Sequence, residues 1–408
     1  MLCQFIVKNY KSIKDEIVFD MQATAISEHK ESLITDKDGE TFLPIAAIYG
    51  PNGSGKSNVL EAISALENKI MKPVCSVCEQ DDCGGKERKR PIIPFLLDDK
   101  SVKEPTEFTI FFRTQKAEYR YILHTLKEKV VYESLDKKNI DGIRYSSLFE
   151  RNKKSIKLKG LFKKFQTPTD ISETITVLSF LAITNKGNEI IKDVLSWFEG
   201  GITVTNFGNP FTESRIAIPT DEESVELVVK MLEEMDIDIS NLRTVELDDD
   251  DDDFEVYAEH IVDDKKYELS LSDESSGTKK VLGFLPDVIN SIMNGTTLCV
   301  DEMDSKLHPV LIKYLIGLYT NRDINKNGAQ LIFTSHDLAN MNNEVYRRDE
   351  IWFVAKNNEQ ASNLYSLVEL KDSEGNGIRK DARYDKQYLE GKYGADPFLK
   401  KIIDWSEC

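Results

Sequence analysis

The run LPIAAIYGPNGSGKSNVLEAISALENKIM, Leu43 to Met71, constrains the fold of this chain more than any other feature. It opens on a short apolar stretch that stops at Gly50, the pattern of a strand buried on both faces. Gly50 to Ser57 then read G-x-x-x-x-G-K-S. The residues after them have helical spacing, with Val59, Leu60, Ile63, Leu66 and Ile70 on one face. A strand with two apolar faces must be covered by helices on both, which places it inside a mostly parallel sheet. The C-terminal part repeats the alternation of strand and helix in TTLCVDEM, PVLIKYLIGLYTN, AQLIFTSHD and DEIWFVAKN. The expected class is α/β, a mixed β-sheet flanked by helices.

The glycine-rich turn suits an anion. Gly50, Gly53 and Gly55 let the backbone curl so that successive N–H groups converge, and the following helix points its positive end the same way. Asn52, Gly53, Ser54, Gly55, Lys56, Ser57 and Asn58 are therefore candidate nucleotide contacts. Lys56 brings a point charge to the β- and γ-phosphates, and Ser57 offers a hydroxyl to Mg²⁺. TLCVDE, Thr297 to Glu302, supplies carboxylates. Its apolar strand is expected directly beside the Gly50 strand, with Asp301 holding Mg²⁺ through water and Glu302 polarising the attacking water. A third strand, LIFTSHD, ends near His336, which fits either a γ-phosphate contact or a satisfied loop residue. Lys56, Glu302 and His336 form the candidate catalytic set, Ser57 and Asp301 the metal set.

Elsewhere, residues 4 to 20 read as strand, basic turn and strand, and EFTIFFRTQKAEYRYILHTL as two adjacent strands. Residues 171 to 199 and 221 to 236 read as amphipathic helices, FEVYAEHIV and KKYELSLS as a hairpin. There is no sustained heptad pattern and no internal repeat. No run approaches eighteen apolar residues, and MLCQFIVKNYKSI lacks the apolar core of a secretory signal. A cytoplasmic protein without a membrane segment is expected. The 408 residues carry a net charge of −18, which argues against duplex binding by the surface as a whole. Asp248 to Asp253 are six consecutive aspartates, read as a solvated loop or, alternatively, a metal-binding one. Arg151 to Lys164 hold seven basic residues and no acidic one, read as a solvated face or a contact for nucleic acid or an acidic partner.

Of six cysteines, Cys75, Cys78 and Cys83 have C-x2-C-x4-C spacing, and the next expected ligand position is Arg88. A tetrahedral Zn²⁺ here would need a fourth ligand from elsewhere in this chain or another; otherwise the segment is a loop with exposed thiols. Cys3, Cys299 and Cys408 read as incidental, Cys299 as strand packing.

SDESSGTKKV, Ser272 to Val281, opens a helix with two serines and a glycine where one small polar residue would cap it. By itself it is a good cap or a second phosphate site. The order of phosphate loop, long gap, Ser-Gly helix start, Asp-Glu strand and strand-end His resembles the ABC-type ATPases, including the chromosome-maintenance and RecF-like branches. The resemblance implies that Ser275 and Gly277, beside Ser276 and Thr278, cap the γ-phosphate of ATP held by a second subunit. ESSGT departs from the common L-S-G-G-Q, with Thr278 at the Gln position. In MDSKLHP, the resemblance implies that Asp304 sits in a D-loop at the dimer interface. In NYKSI, it implies that Asn9, Lys11 and Ser12 form a basic loop near the nucleotide. No glutamine matches the family's Q-loop.

ESSGTKK, DEMDSKLHP, QLIFTSHD, RRDEIWFVAKN and YLEGKYGADP are further similar to one bacterial and archaeal branch, often labelled AAA-type although ABC-like in fold. That likeness is specific from about 270 to 400 and around the phosphate loop, and weak from 71 to 265. Many such proteins are encoded in abortive-infection and restriction-linked loci, including Rlo-type and PARIS-type systems. The implied architecture is an ABC-type P-loop NTPase head in two halves, 1–70 and 265–408, with head strands at 94–130. A cysteine insert at 71–93 and an inserted lobe at 131–264, mostly helical or mixed, complete it. The lobe is too short for a long coiled-coil arm and is expected to recognise a partner. The implied activity is slow ATP hydrolysis with Mg²⁺ between head-to-tail copies of a homodimer or higher oligomer. That activity would control a separate effector such as a Toprim-type nuclease and respond to a nucleic-acid or phage-protein trigger. The alternative is a RecF-like DNA-repair ATPase. A nuclease within this chain is disfavoured, because the 72 residues after His336 show no nuclease pattern.

Overall fold

The computed structural model describes residues 1–72, 92–168, 171–208, 222–246, 254–372 and 374–395. Leu2–Lys8 (β1) and Ile17–Asp20 (β2) pair antiparallel. Ile34–Thr35 (β3) and Thr41–Phe42 (β4) form a short ribbon. Ile45–Tyr49 (β5) is buried at every position and leads through the glycine-rich turn into Lys56–Met71 (α1). Thr106–Arg113 (β6), Ala117–Leu126 (β7), Lys129–Asn139 (β8), Ser146–Asn152 (β9) and Ser155–Leu158 (β10) form a meander. Because β6 pairs with β1, the meander extends the N-terminal pair into one antiparallel sheet, β10-β9-β8-β7-β6-β1-β2.

Val177–Thr184 (α2) and Glu189–Ser196 (α3) come next, capped by Thr176 and Asn188. Then follow Ile202–Asn206 (β11), Glu222–Glu234 (α4) and a three-stranded sheet of Asn241–Glu246 (β12), Phe254–Val262 (β13) and Lys265–Ser270 (β14). Ser276–Asn294 (α5), Thr297–Asp301 (β15), Pro309–Thr320 (α6) and Gln330–Thr334 (β16) carry the strand–helix alternation. Ile351–Lys356 (β17), Ser362–Ser366 (β18) and Tyr384–Leu389 (α7) finish the described chain.

The central sheet runs β11-β15-β16-β5-β17-β18, with every pair parallel except β17–β18. Its two faces are two cores. Ala46 and Ile48 of β5 pack with α1 and the antiparallel sheet. Ile45, Ala47 and Tyr49 pack with α5 and α6. This period-2 division explains why β5 reads as an unbroken apolar run. All parallel strands deliver their C-terminal ends to one edge, where a crevice forms.

The α/β class expected from the sequence is what the chain builds. One expectation changes and another is narrowed. The strand ending in Asp301 is not beside the Gly50 strand, because β16 lies between β15 and β5. Of the mostly helical and mixed readings of 131–264, its described residues are mixed: β8, β9 and β10 belong to the antiparallel sheet, and β11 joins the central sheet beside β15. The amphipathic pattern over 171–199 gives helices α2 and α3. The basic segment forms the β9–β10 hairpin and a turn, with Lys153, Lys154, Lys157, Lys163 and Lys164 exposed. Cys75, Cys78, Cys83 and the aspartate run lie outside the described residues.

Candidate nucleotide site

The site grows from the C-terminal end of β5. Gly50 to Gly55 form a loop in which Gly53 and Gly55 have left-handed backbones, φ 73° and 105°. Gly55 is the N-cap of α1, so the free N–H groups of the first helical turn open into the loop. Asn52 and Gly53 are exposed at its lip, and Ser54 is buried beneath. Lys56 is buried, and its ammonium donates to the carbonyls of Gly50 (2.8 Å) and Pro51 (3.3 Å). Burial pushes the Lys56 pKa down to about 8, against an opposing pull from Asp301, Asp304 and Glu302. The half-buried Ser57 has no hydrogen bond to its hydroxyl among the described residues.

The carboxylate side comes from β15. Asp301 is buried at the strand's end. Thr334, the last residue of β16, donates to Asp301 Oδ1 (2.7 Å), and Asn206 Nδ2, at the end of β11, donates to Oδ2 (3.0 Å). Glu302 turns into the left-handed region, φ 55°, an unusual conformation for a residue with a side chain. The turn is held by its own N–H donating to Thr334 Oγ1 (2.7 Å), by Met303 N–H to the Thr334 carbonyl (3.1 Å) and by Ser305 N–H to the Glu302 carbonyl (2.9 Å). The Glu302 carboxylate is exposed and lies against Gly208, where a Cβ would overlap its Oε2. The peptide of Phe207 and Gly208 is pinned from α5: Lys280, buried, donates to the Phe207 carbonyl and to Ser305 Oγ (3.3 Å).

His336 follows β16 and is exposed; its backbone N–H donates to Asp304 Oδ2 (3.0 Å). Partial desolvation and the Lys56 cation lower the imidazole pKa, while Asp304, Glu302 and Asp301 pull the other way. Together with Gly50 to Ser54, His336 lines an open cleft of about 1030 Å³ whose far wall is the 355–360 turn and the segment around Tyr388 to Ala395. Loop and imidazole share this cleft, and the carboxylates of Asp301, Glu302 and Asp304 act on the charges of Lys56 and His336.

The N-terminal turn divides. Ser12 touches the site: its hydroxyl accepts from Asn58 Nδ2 (2.6 Å). Lys11 pairs with Glu61 of α1. Asn9 corrects the expectation of a nucleotide contact. It is buried, its amide donates to the carbonyls of Ser101 (2.8 Å) and Glu104 (3.0 Å), and its Oδ1 accepts from Phe95 N–H (2.9 Å). Its side chain braces the 95–105 segment. Ser275 caps α5, accepting from Thr278 N–H (3.0 Å), and Ser275 and Ser276 are exposed. Neither they nor Gly277 lines the cleft of their own phosphate loop.

Asn206, Gly208, Lys280, Thr334 and Ser362 were not legible as site residues. Asn-Phe-Gly after an apolar strand is an ordinary strand end, and only the pairing of β11 with β15 brings it to Asp301.

The arrangement fits Mg²⁺ and a nucleoside triphosphate: a cradle of backbone N–H groups, a buried ammonium, a hydroxyl and a buried carboxylate. A family model described as "AAA domain, putative AbiEii toxin, Type IV TA system" matches residues 45–342. No curated protein matches the chain. Among solved structures, one described as the structure of the recombination mediator protein RecF-ATPrS in the RecFOR pathway is similar at 13% identity and a TM-score of 0.34. It spans 89% of this chain and 98% of that one, a likeness too loose to bear on function.

Proposed function

Since the chain belongs to the AAA-domain family whose model spans residues 45–342, we propose that it is an ATP-operated switch of an anti-phage, abortive-infection system. It binds Mg²⁺-ATP at seams between head-to-tail copies and controls a separately encoded effector, a Toprim-type nuclease being the type expected. The observation that carries the reading is the division of parts. The phosphate loop and His336 line one cleft, the His336 N–H is bonded to Asp304, and Asp301 and Glu302 are near enough to act on the Lys56 charge, while the exposed Ser275 helix start does not line that cleft. A helix N-terminus bearing a serine and a glycine is suited to an anion presented by another molecule. The toxin–antitoxin wording of the family description supports defence over housekeeping repair.

In this reading Ser57 and Asp301 would hold Mg²⁺, which would supply charge neutralisation to the phosphates when bound. Lys56 binds the phosphates. Glu302 accepts a proton from the attacking water, and His336 contacts the γ-phosphate edge. Ser275 and Gly277 of the second copy close the seam, with Asp304 beside it. ATP stabilises the closed pair because its phosphates contact both copies, and loss of the γ-phosphate removes that bridge.

The test is Glu302→Gln, purified with and without Mg²⁺-ATP and weighed by light scattering, beside the double variant with Ser275→Arg. The expected result is an ATP-dependent doubling of mass that Ser275→Arg abolishes while ATP still binds. A chain that binds ATP and stays monomeric refutes the seam. Tight retention of duplex DNA in place of a protein effector would move the reading to repair. Growth arrest by this chain alone, relieved by Lys56→Ala, would make it the toxic component itself.

A further inference from the structure

We infer that Ser362, at the start of β18, is a positioning residue that aims the Gly55 N–H of the phosphate loop at its anion. The inference rests on the nucleotide-binding reading above. Ser362 lies outside the 45–342 family match and 308 positions from Ser54, yet it is buried directly under the loop.

Four groups form a chain there. Asn58 Nδ2 lies 2.6 Å from Ser12 Oγ. Ser12 Oγ lies 2.7 Å from Ser362 Oγ. Ser362 Oγ lies 2.5 Å from the Ser54 carbonyl oxygen. Counting protons fixes the direction of every bond. A carbonyl oxygen only accepts, so the single Ser362 hydroxyl proton goes to Ser54. The Ser12–Ser362 contact then needs the Ser12 proton, so Ser12 accepts from the Asn58 amide, whose nitrogen only donates. The relay therefore runs one way, from the first turn of α1 through the N-terminal turn to the loop carbonyl. Each bond polarises the next. The backbone adds a fourth tie, Ser362 N–H to the Ser12 carbonyl at 2.7 Å.

The consequence follows from peptide geometry. The Ser54 carbonyl and the Gly55 N–H belong to one planar trans unit, so they point in opposite directions. Fixing the carbonyl outward on Ser362 fixes the N–H inward. That N–H has no acceptor among the described residues. The same contact explains Gly55 independently of its φ: a Cβ there would overlap both the Ser362 and Ser12 hydroxyl oxygens. The loop lies on a shelf of two serines that leaves no room for a side chain.

The experiment compares Ser362→Ala, Ser362→Thr, Ser12→Ala and Lys56→Ala with the parent chain. ATP dissociation constants are measured by calorimetry, and nucleotide-free melting by scanning fluorimetry. A misaimed N–H forfeits one hydrogen bond to a charged acceptor. Ser362→Ala should therefore weaken ATP binding by about tenfold, in addition to whatever lowering of the melting temperature the lost buried bonds produce. Ser362→Thr should restore affinity because it keeps the hydroxyl. Ser12→Ala should fall between, since it removes the relay but leaves the final donor. Lys56-dependent ATP binding that ignores Ser362→Ala overturns the inference alone, as does a melting change without an affinity change. No Lys56-dependent binding in the parent chain overturns the nucleotide reading and this inference with it.

Discussion

Thr334→Val removes one hydroxyl from the least exposed part of the site and should be costly out of proportion to its size. Thr334 is fully buried at the end of β16. Its hydroxyl donates to Asp301 Oδ1 and accepts from Glu302 N–H, both at 2.7 Å. Valine keeps the shape and loses both bonds. A hydrogen bond to a buried carboxylate is worth about 1.5–3 kcal/mol, and an orphaned N–H costs about 1–3 kcal/mol. Glu302 is exposed, so its N–H can recover water and the second contribution is discounted. The expected loss is about 2–4 kcal/mol, a melting shift of roughly 2–5 °C in a chain of this size. Among the described residues the Asp301 carboxylate keeps Asn206 alone, and the left-handed turn of Glu302 loses one of its three hydrogen bonds, so turnover should fall at least about tenfold. Thr334→Ser keeps the hydroxyl and should recover most of both effects. The assay is nucleotide-free melting together with steady-state ATP hydrolysis. A valine variant that melts within a degree of the parent and hydrolyses ATP equally well would refute the claim that this hydroxyl holds the carboxylate pair.

Two further outcomes follow from the same geometry. Gly208→Ala places a methyl where the Glu302 carboxylate rests, so that carboxylate must move while the phosphate loop is untouched. Turnover should fall about tenfold or more with the ATP dissociation constant unchanged, read from single-turnover hydrolysis beside calorimetry. Lys56 has a folded pKa of about 8, below its ordinary 10.5, because it is desolvated. Its burial therefore destabilises the nucleotide-free fold at neutral pH, and that penalty is relieved as pH rises from about 8 to 10.5. For ATP the sign reverses. Phosphates favour the charged amine, so binding should take up a proton above pH 8 and weaken with rising pH. Calorimetry at pH 8.5 in buffers of different ionisation enthalpy measures the uptake, and Lys56→Met should abolish it.

The sequence by itself determined the parts of this protein whose physics is local. A strand buried on both faces, a glycine-rich turn and an amphipathic helix follow one another within thirty residues, so Lys56 and Ser57 had nowhere else to be. Asp301 and Glu302 were legible because an apolar strand must end somewhere and two carboxylates at that end are unusual. The tertiary structure decided what those residues touch. The order of the parallel strands places β16 between β15 and β5, so Thr334 reaches Asp301 and Glu302. The return of β11 to the sheet edge brings Asn206 and Gly208 to the carboxylates, out of a segment expected to be mostly helical or mixed. The docking of β18 on the N-terminal turn sets Ser362 under the phosphate loop, while Asn9 in that same turn faces a structural task. Strand order and side-chain partnership depend on hydrogen bonds between residues hundreds of positions apart. A lone serine, asparagine or glycine carries no periodic signal that could announce such a bond in advance.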